Sequence, residues 1–177
     1  MENRSNKFLL TGPPGCGKTT LIRKIVQKLD LPWRGFTTEE VRGAKGKRIG
    51  FDVVTTDGRR GPLARVDFSG PRVGRYGVDL QFLEEVVLPV MTVRPGTFIL
   101  LDEIGKMECL SPFFTAAVAA LMESPSPLLG TVALGGAPFI REVRRHPQAE
   151  LVEVTVRNRD ELAEEICKKI ESWKGKG

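Results

Sequence analysis

Histidine is almost missing from this sequence: His146 is the only one among 177 residues. The three cysteines, Cys16, Cys109 and Cys167, stand far apart with no CxxC spacing. That scarcity excludes a zinc site of the usual ligand spacing and a disulfide framework. No apolar run approaches the roughly 18 residues that a membrane span needs, and Met1 to Asn6 is polar, without the apolar stretch of a signal peptide. A cytoplasmic protein with no membrane partner is expected. Asparagine and glutamine are scarce too, limited to Asn3, Asn6, Asn158, Gln27, Gln81 and Gln148, a composition that thermostable proteins often show. Blocks of like charge are absent. The net charge of +5 is spread over scattered Lys and Arg, which suits a solvated surface around a small anionic substrate better than a nucleic-acid face. Nucleic acid remains the less favoured partner.

What is present describes an ordinary globular chain, with 28% charged and 41% hydrophobic residues. Its length suits one well-buried core, so residues 1–177 are expected to form a single domain acting as a monomer. Lys7 to Thr11 is a continuous apolar run ending at Gly12, as in a parallel strand buried on both faces. Lys18 to Leu29 then has helical spacing and ends before Pro32. From Trp33 to Phe68 the pattern becomes extended, over Phe36 to Val41, Ile49 to Thr55 and Pro62 to Phe68, with turn signals at Gly43 to Lys47 and Asp57-Gly58. Residues 35–68 therefore read as an inserted antiparallel hairpin region. Ser69 to Asp79 reads as a loop, followed by a helix burying Leu80, Leu83, Val87 and Leu88 and disturbed by Pro89.

The α/β rhythm resumes with a strand at Thr97 to Leu101, a helix at Pro112 to Met122 carrying Phe113, Ala117, Ala120 and Leu121, and a strand at Leu128 to Leu134. A short basic helix at Ala137 to Arg145, a strand at Leu151 to Val156 and a last helix at Asn158 to Trp173 follow. Asn158 with Glu161 is close to a capping box, and residues 174–177 read as a frayed tail. The fold class is α/β: a three-layer sandwich around a mostly parallel sheet with the hairpin region inserted after the first helix.

Gly12-Pro13-Pro14-Gly15-Cys16-Gly17-Lys18-Thr19 matches GxxxxGK[ST] in full, between a strand and a helix where that motif belongs. Its glycines turn backbone N–H groups inward around phosphates, the helix dipole favours the anion, and Lys18 supplies a cation to the β- and γ-phosphates. The Thr19 hydroxyl is left for Mg²⁺, and Thr20 falls near the α-phosphate. Cys16 sits at an unspecified position of the motif and has no chemistry of its own. Phe98-Ile-Leu-Leu-Asp102-Glu103 places two carboxylates after four apolar residues. Asp102 is the candidate metal-side carboxylate, and Glu103 the candidate base for a water attacking the γ-phosphate. An acidic pair after a strand is also a common solvated turn; the phosphate loop upstream favours the functional reading.

Asp102-Glu-Ile-Gly105-Lys106-Met-Glu108, together with that loop, resembles the signature of the thermostable nucleoside-triphosphatase family. Gly35-Phe-Thr-Thr-Glu-Glu-Val-Arg42, Ile49-Gly-Phe-Asp-Val-Val, Val73-Gly-Arg-Tyr76, Val78-Asp79 and Asn158-Arg159 resemble family segments in the same order. The resemblance covers nearly the whole chain. It implies a P-loop fold with an extra strand between the phosphate-loop strand and the acidic strand, and hydrolysis of ATP, GTP and other NTPs to diphosphate and phosphate. Gly135-Gly136-Ala137 is shorter than the loop that family members often carry there.

Charge on the leaving β-phosphate needs a cation beyond Lys18. Lys106 is one candidate, against a plain surface lysine or an ion-pair partner of Glu108; Arg72 and Arg75, in a glycine-rich loop able to fold over a ligand, compete with it. Thr131 is placed either to bond the water or γ-phosphate or to fill the core. Arg159 resembles the base-side arginine of small P-loop kinases, with a solvated helix residue as the other reading. Trp33 and Trp173 read as packing anchors. Two other functions compete with NTP hydrolysis: a nucleoside or nucleotide kinase, and a nucleotide-regulated nucleic-acid-binding module.

Overall fold

The alternation of buried runs and amphipathic stretches resolves, in a computed structural model that describes residues 5–173, into nine strands and five α-helices. The strands are β1 Lys7–Thr11, β2 Trp33–Arg42, β3 Arg48–Thr55, β4 Arg60–Arg65, β5 Arg72–Val73, β6 Tyr76–Val78, β7 Phe98–Ile104, β8 Leu128–Val132 and β9 Ala149–Glu153. The helices are α1 Lys18–Lys28, α2 Leu80–Phe82, α3 Pro112–Glu123, α4 Pro138–Arg144 and α5 Arg159–Glu171. The expected tail at 174–177 lies outside the described residues. Among the described residues no helix is long and apolar enough to cross a membrane.

All nine strands join one sheet in the order β5-β6-β4-β3-β2-β7-β8-β1-β9. Pairing is parallel from β2 through β7, β8 and β1 to β9. It is antiparallel from β2 through β3, β4 and β6 to β5. The hairpin region therefore extends the same sheet: β2 pairs with β7 over Trp33 to Phe36 and with β3 over Phe36 to Arg42. Strand β8 stands between β1 and β7, as the resemblance implies.

Successive side chains of a strand point to opposite faces, so a continuous apolar run fills two cores at once. Leu9, Ile99, Leu101 and Leu128 meet Phe114 and Val118 of α3 and Ile140 and Val143 of α4. Phe8, Leu10, Phe98, Leu100 and Leu129 meet Leu21, Ile22 and Ile25 of α1 and Ile166 and Ile170 of α5. Each such buried aliphatic side chain stabilises the fold by roughly 1.5–3 kcal/mol. The result is the helix-sheet-helix sandwich.

Four local expectations need correction. Ser69 to Asp79 is not all loop, because β5 and β6 pair with each other and β6 pairs with β4. The helix after Asp79 is not one regular element. Asp79 caps it, accepting from the Phe82 N–H at 2.9 Å. It then widens to a π-turn over Leu83–Val87 and tightens to a 3₁₀ turn over Leu88–Met91, where Pro89 has no N–H to give. In α3 the buried face is Phe114, Val118, Leu121 and Met122, one position away from the face expected, and Phe113 is 66% exposed. Asn158 makes no capping bond to α5; its Oδ1 accepts from the Thr155 N–H and its Nδ2 donates to the Glu153 carbonyl, so it closes the preceding turn instead.

One glycine sets how closely the two halves of the sheet approach. Gly35 has φ 128°, and a Cβ there would lie 1.9 Å from the Leu100 carbonyl oxygen. Only a residue without Cβ fits β2 against β7 at that point.

Candidate active site

Strand β1 ends at Thr11 and the chain turns through Gly12 to Gly17 before α1 starts at Lys18. The turn requires its glycines where backbone and side chain crowd it. A Cβ at Gly12 (φ 154°) would lie 2.5 Å from the Val154 carbonyl oxygen, and one at Gly17 (φ 103°) would lie 2.9 Å from Nη1 of Arg159. Arg159, at the start of α5, thus lies against the phosphate loop at Gly17. Lys18 donates from Nζ to the carbonyls of Gly12 at 2.8 Å and Pro13 at 3.2 Å, which holds its ammonium group over the loop. Cys16 is buried beneath the loop, and Pro13 and Pro14 are exposed.

A cleft of ≈ 1090 Å³ opens from this loop, lined there by Gly12, Gly15, Gly17, Lys18, Thr19 and Thr20. Asp102, Glu103, Lys106 and Glu108 line it from the adjoining segment. The two carboxylates lie inside β7, which continues past the expected end at Leu101 to Ile104. β7 pairs with β8 at Leu101↔Gly130 and next at Ile104↔Val132, so Asp102 and Glu103 together oppose Thr131. That bulge changes the direction of two neighbouring carboxylates within one strand, a device often found next to active sites.

Asp102 is 2% exposed. Its Oδ1 accepts from the Thr131 hydroxyl at 2.6 Å, and its buried Oδ2 has no hydrogen-bond partner. Burial raises its pKa above the usual carboxylate range, while the Thr131 and Thr19 hydroxyls and the Lys18 charge pull it down. β8 does lie beside β1, with Leu10 opposite Thr131, and the threonine hydroxyl donates to Asp102. A buried oxygen without a partner, beside Thr19 and Lys18, fits a small divalent cation bridged to phosphate. Among the described residues no cluster of three His, Cys, Asp or Glu forms that would hold a metal, so the cation's other ligands would come from Thr19 and the nucleotide.

Glu103 is half-buried, and its pKa is raised by burial and then by the Asp102 charge, with Lys18 opposing. Gly105 lets a third carboxyl approach it: a Cβ there would lie 2.6 Å from Oε1 of Glu103 and 2.9 Å from Oε2 of Glu108. Glu108, 3% exposed, is pushed up to about 8 by burial and by the Glu103 charge. Both causes favour its protonated form. The sequence offered Glu108 only as an ion-pair partner of Lys106; instead it faces the other two carboxyls. Lys106 is exposed and lays its stem over Gly136, where a Cβ would lie 3.1 Å from the lysine Cγ.

Other expected cations fall elsewhere. Arg72 donates to the Phe68 carbonyl at 3.0 Å and to the Arg75 carbonyl, and Arg75 to the Arg48 carbonyl and the Tyr76 hydroxyl. Both are spent on the edge of the sheet. Trp173 stacks on Phe8 with centroids 5.4 Å apart, and Trp33 packs against the α1–α5 core, so both serve packing. The sequence reading missed Arg144, whose Nη1 donates to Thr11 Oγ1 at 2.6 Å and to the Ala133 carbonyl at 3.2 Å, tying the ends of β1 and β8 together below the loop. Basic residues in a short helix signalled charge there, but nothing in their spacing told which one turns inward. Phe51 and Tyr76, which stood in segments resembling the family but had no role assigned, also line the cleft.

A family model described as NTPase matches residues 7–167. The human cancer-related nucleoside-triphosphatase is 41% identical, with 92% of this chain and 95% of that protein covered. The nucleoside-triphosphatase THEP1 of Thermotoga petrophila is 42% identical, with 90% of each covered. The crystal structure of THEP1 from Aquifex aeolicus superposes with a TM-score of 0.85 at 37% identity, over 93% of this chain and 99% of that one. The solution structure of the human cancer-related nucleoside triphosphatase gives 0.77 at 42% identity, over 96% and 98%. With the motif, the strand order and these likenesses in agreement over most of its length, the chain belongs to the NTPase family.

Proposed function

We propose that this chain is a Mg²⁺-dependent nucleoside-triphosphatase that hydrolyses ATP, GTP and other NTPs to the diphosphate and phosphate, acting as a single-domain monomer in the cytoplasm. The observation that carries the reading is the Asp102 carboxylate, buried beside the phosphate loop with Oδ2 unpartnered and Glu103 next to it. That the relatives are nucleoside-triphosphatases supports its hydrolytic part.

In this reading the loop glycines and the start of α1 bind the phosphates through backbone N–H groups. Lys18 leaves the carbonyls of Gly12 and Pro13 for the β- and γ-phosphate oxygens. The Thr19 hydroxyl and, through a water, the Asp102 carboxylate would hold Mg²⁺, which would neutralise charge on the phosphate oxygens. Thr131 keeps Asp102 oriented by occupying Oδ1. Glu103 accepts the proton of the attacking water, Lys106 faces the charge that develops in the cleft, and Arg159 flanks the bound nucleotide at Gly17.

Phosphate release from ATP, GTP, CTP and UTP, with Mg²⁺ and with the metal chelated, tests this. Release with no added acceptor and only with the metal is expected. Transfer that needs an acceptor hydroxyl would replace hydrolysis with a kinase reaction.

A further inference from the structure

The cleft of ≈ 1090 Å³ continues beyond the phosphate loop. Its second half is built by the antiparallel extension of the sheet, where Thr38, Glu40, Arg48, Phe51, Leu63 and Tyr76 line it. This half differs in chemistry from the first.

It is aromatic. Phe51 and Tyr76 meet edge to face with centroids 5.4 Å apart, and the Arg48 guanidinium carbon lies 5.1 Å from the Phe51 centroid and 5.9 Å from that of Tyr76. An aromatic ring and a flat guanidinium next to each other are surfaces on which a planar heterocycle stacks. The carboxylates there are already engaged by arginines. Glu40 holds Arg48 at 2.8 Å, and Glu39, which also lines the cleft, is held by Arg23 at 2.9 Å and Arg60 at 2.8 Å. Both cations that line this half, Arg23 and Arg48, are held by carboxylates, and Arg75, outside the lining, rests over the Tyr76 ring at 5.1 Å, whereas Lys18 and Lys106 line the other half. The carboxylates of Glu39 and Glu40 and the Thr38 hydroxyl are instead acceptors for the hydroxyl and amino protons of a neutral ligand.

We propose that the sheet-extension half of the cleft is a second binding site, taking a neutral planar molecule of the nucleoside class beside the phosphates of the bound triphosphate. The inference rests on the phosphate loop holding the triphosphate, as proposed above. The second ligand stacks its heterocycle against Arg48 and Phe51 and gives its sugar or amino protons to the β2 side chains.

The test is calorimetric titration of adenosine, guanosine, cytidine and uridine into the full chain saturated with Mg²⁺ and a non-hydrolysable ATP analogue. At least one of them is expected to bind with one-to-one stoichiometry while the analogue stays bound. Arg48→Ala and Phe51→Ala are each expected to weaken that binding about tenfold or more, the scale of one lost stacking partner. Analogue affinity and basal phosphate release stay unchanged in both. Should Phe51→Ala fail to fold, Arg48→Ala, on a half-exposed side chain, still decides. The inference is overturned if none of the four binds, if the one that binds displaces the analogue, or if binding survives the substitutions. A preparation that releases phosphate from ATP yet binds no nucleoside overturns only this inference; one that releases none overturns the function proposed above.

Discussion

Thr131 gives its hydroxyl proton to Oδ1 of Asp102 across 2.6 Å and leaves the other oxygen of that buried carboxylate free. The bond fixes the orientation of the carboxyl group. Removing a partner that orients a metal-holding carboxylate costs on the order of 10–100-fold in metal affinity or activity. Thr131→Val should therefore raise the Mg²⁺ concentration needed for half-maximal phosphate release about tenfold, and Asp102→Asn more than that. Magnesium titrations of both variants at saturating ATP check this; an unchanged midpoint in Asp102→Asn would remove the carboxylate from the metal site.

Lys18 satisfies two carbonyls of its own loop before any phosphate arrives. Trading neutral carbonyl acceptors for anionic phosphate oxygens brings about 1.5–3 kcal/mol, or roughly 10–100-fold in affinity. Lys18→Ala is expected to lose that factor in calorimetric titration with Mg²⁺-ATP. Wild-type affinity would show that the lysine holds the loop and not the ligand.

Glu103→Gln keeps the shape and hydrogen-bonding reach of the side chain and removes its basicity. A general base contributes typically 10²–10⁴-fold, so kcat should fall by about 10²-fold or more while the nucleotide dissociation constant stays near wild type. Steady-state phosphate release beside equilibrium binding separates the two quantities. Wild-type turnover by this variant would falsify the assignment of water activation to Glu103.

Gly35→Ala places a methyl group 1.9 Å from the Leu100 carbonyl at a positive φ, in β2, the strand that joins the parallel and antiparallel parts of the sheet. Overlap and strain of that kind belong to the large end of single-substitution effects, about 3 kcal/mol or more. For a domain of this size that corresponds to about 6–12 °C in Tm. A calorimetric scan of the variant reads it directly, with Gly46→Ala, where nothing crowds the added carbon, as the companion.

Lys7 is fully buried and donates to the carbonyls of Ser124 and Ser126; burial lowers its pKa from 10.5 to about 8, with Glu123 opposing. Between those two values the unfolded chain binds more protons than the folded one, so stability rises with pH across that window. Below about pH 8 the penalty is fully present, and above 10.5 it is gone. The rise attributable to this group is at most about 3 kcal/mol. Lys7→Met should flatten it, whatever its absolute stability. Urea unfolding of both proteins at about pH 7.5, 9 and 10.5 compares the slopes; parallel curves would count against a lysine neutral in the folded state.

The parts of the fold that were legible were those with a strong period. Phe8 to Leu10, Phe98 to Leu101 and the pair Leu128 and Leu129 are apolar at every position, and such runs have one good solution, a strand covered on both faces. The phosphate loop was legible because GxxxxGK[ST] ties residue types to one backbone path. What could not be read were features set by tertiary contact. Phe113 and Phe114 are equivalent by type, and only the docking of α3 decides that the second is buried. Two-residue strands such as β5 have no period to detect. Thr131 bonds Asp102 because a bulge in a different strand brings them together, and the convergence of Glu103 with Glu108 depends on the missing side chain at Gly105.

The continuity of the sheet has a mechanical consequence. The carboxylate strand β7 and the aromatic wall of β3 and β6 are linked through β2 and β4 by strand-to-strand backbone pairing in one sheet. Widening or narrowing the cleft thus means flexing one elastic plate, not swinging two bodies about a joint, and plates of this kind resist large excursions because every rung must distort together. Access for the substrate, and exit for its products, then falls to the short segments at the rim, Gly135 to Ala137 and the turn at Gly74, which can move without breaking a rung of the ladder between β1 and β4.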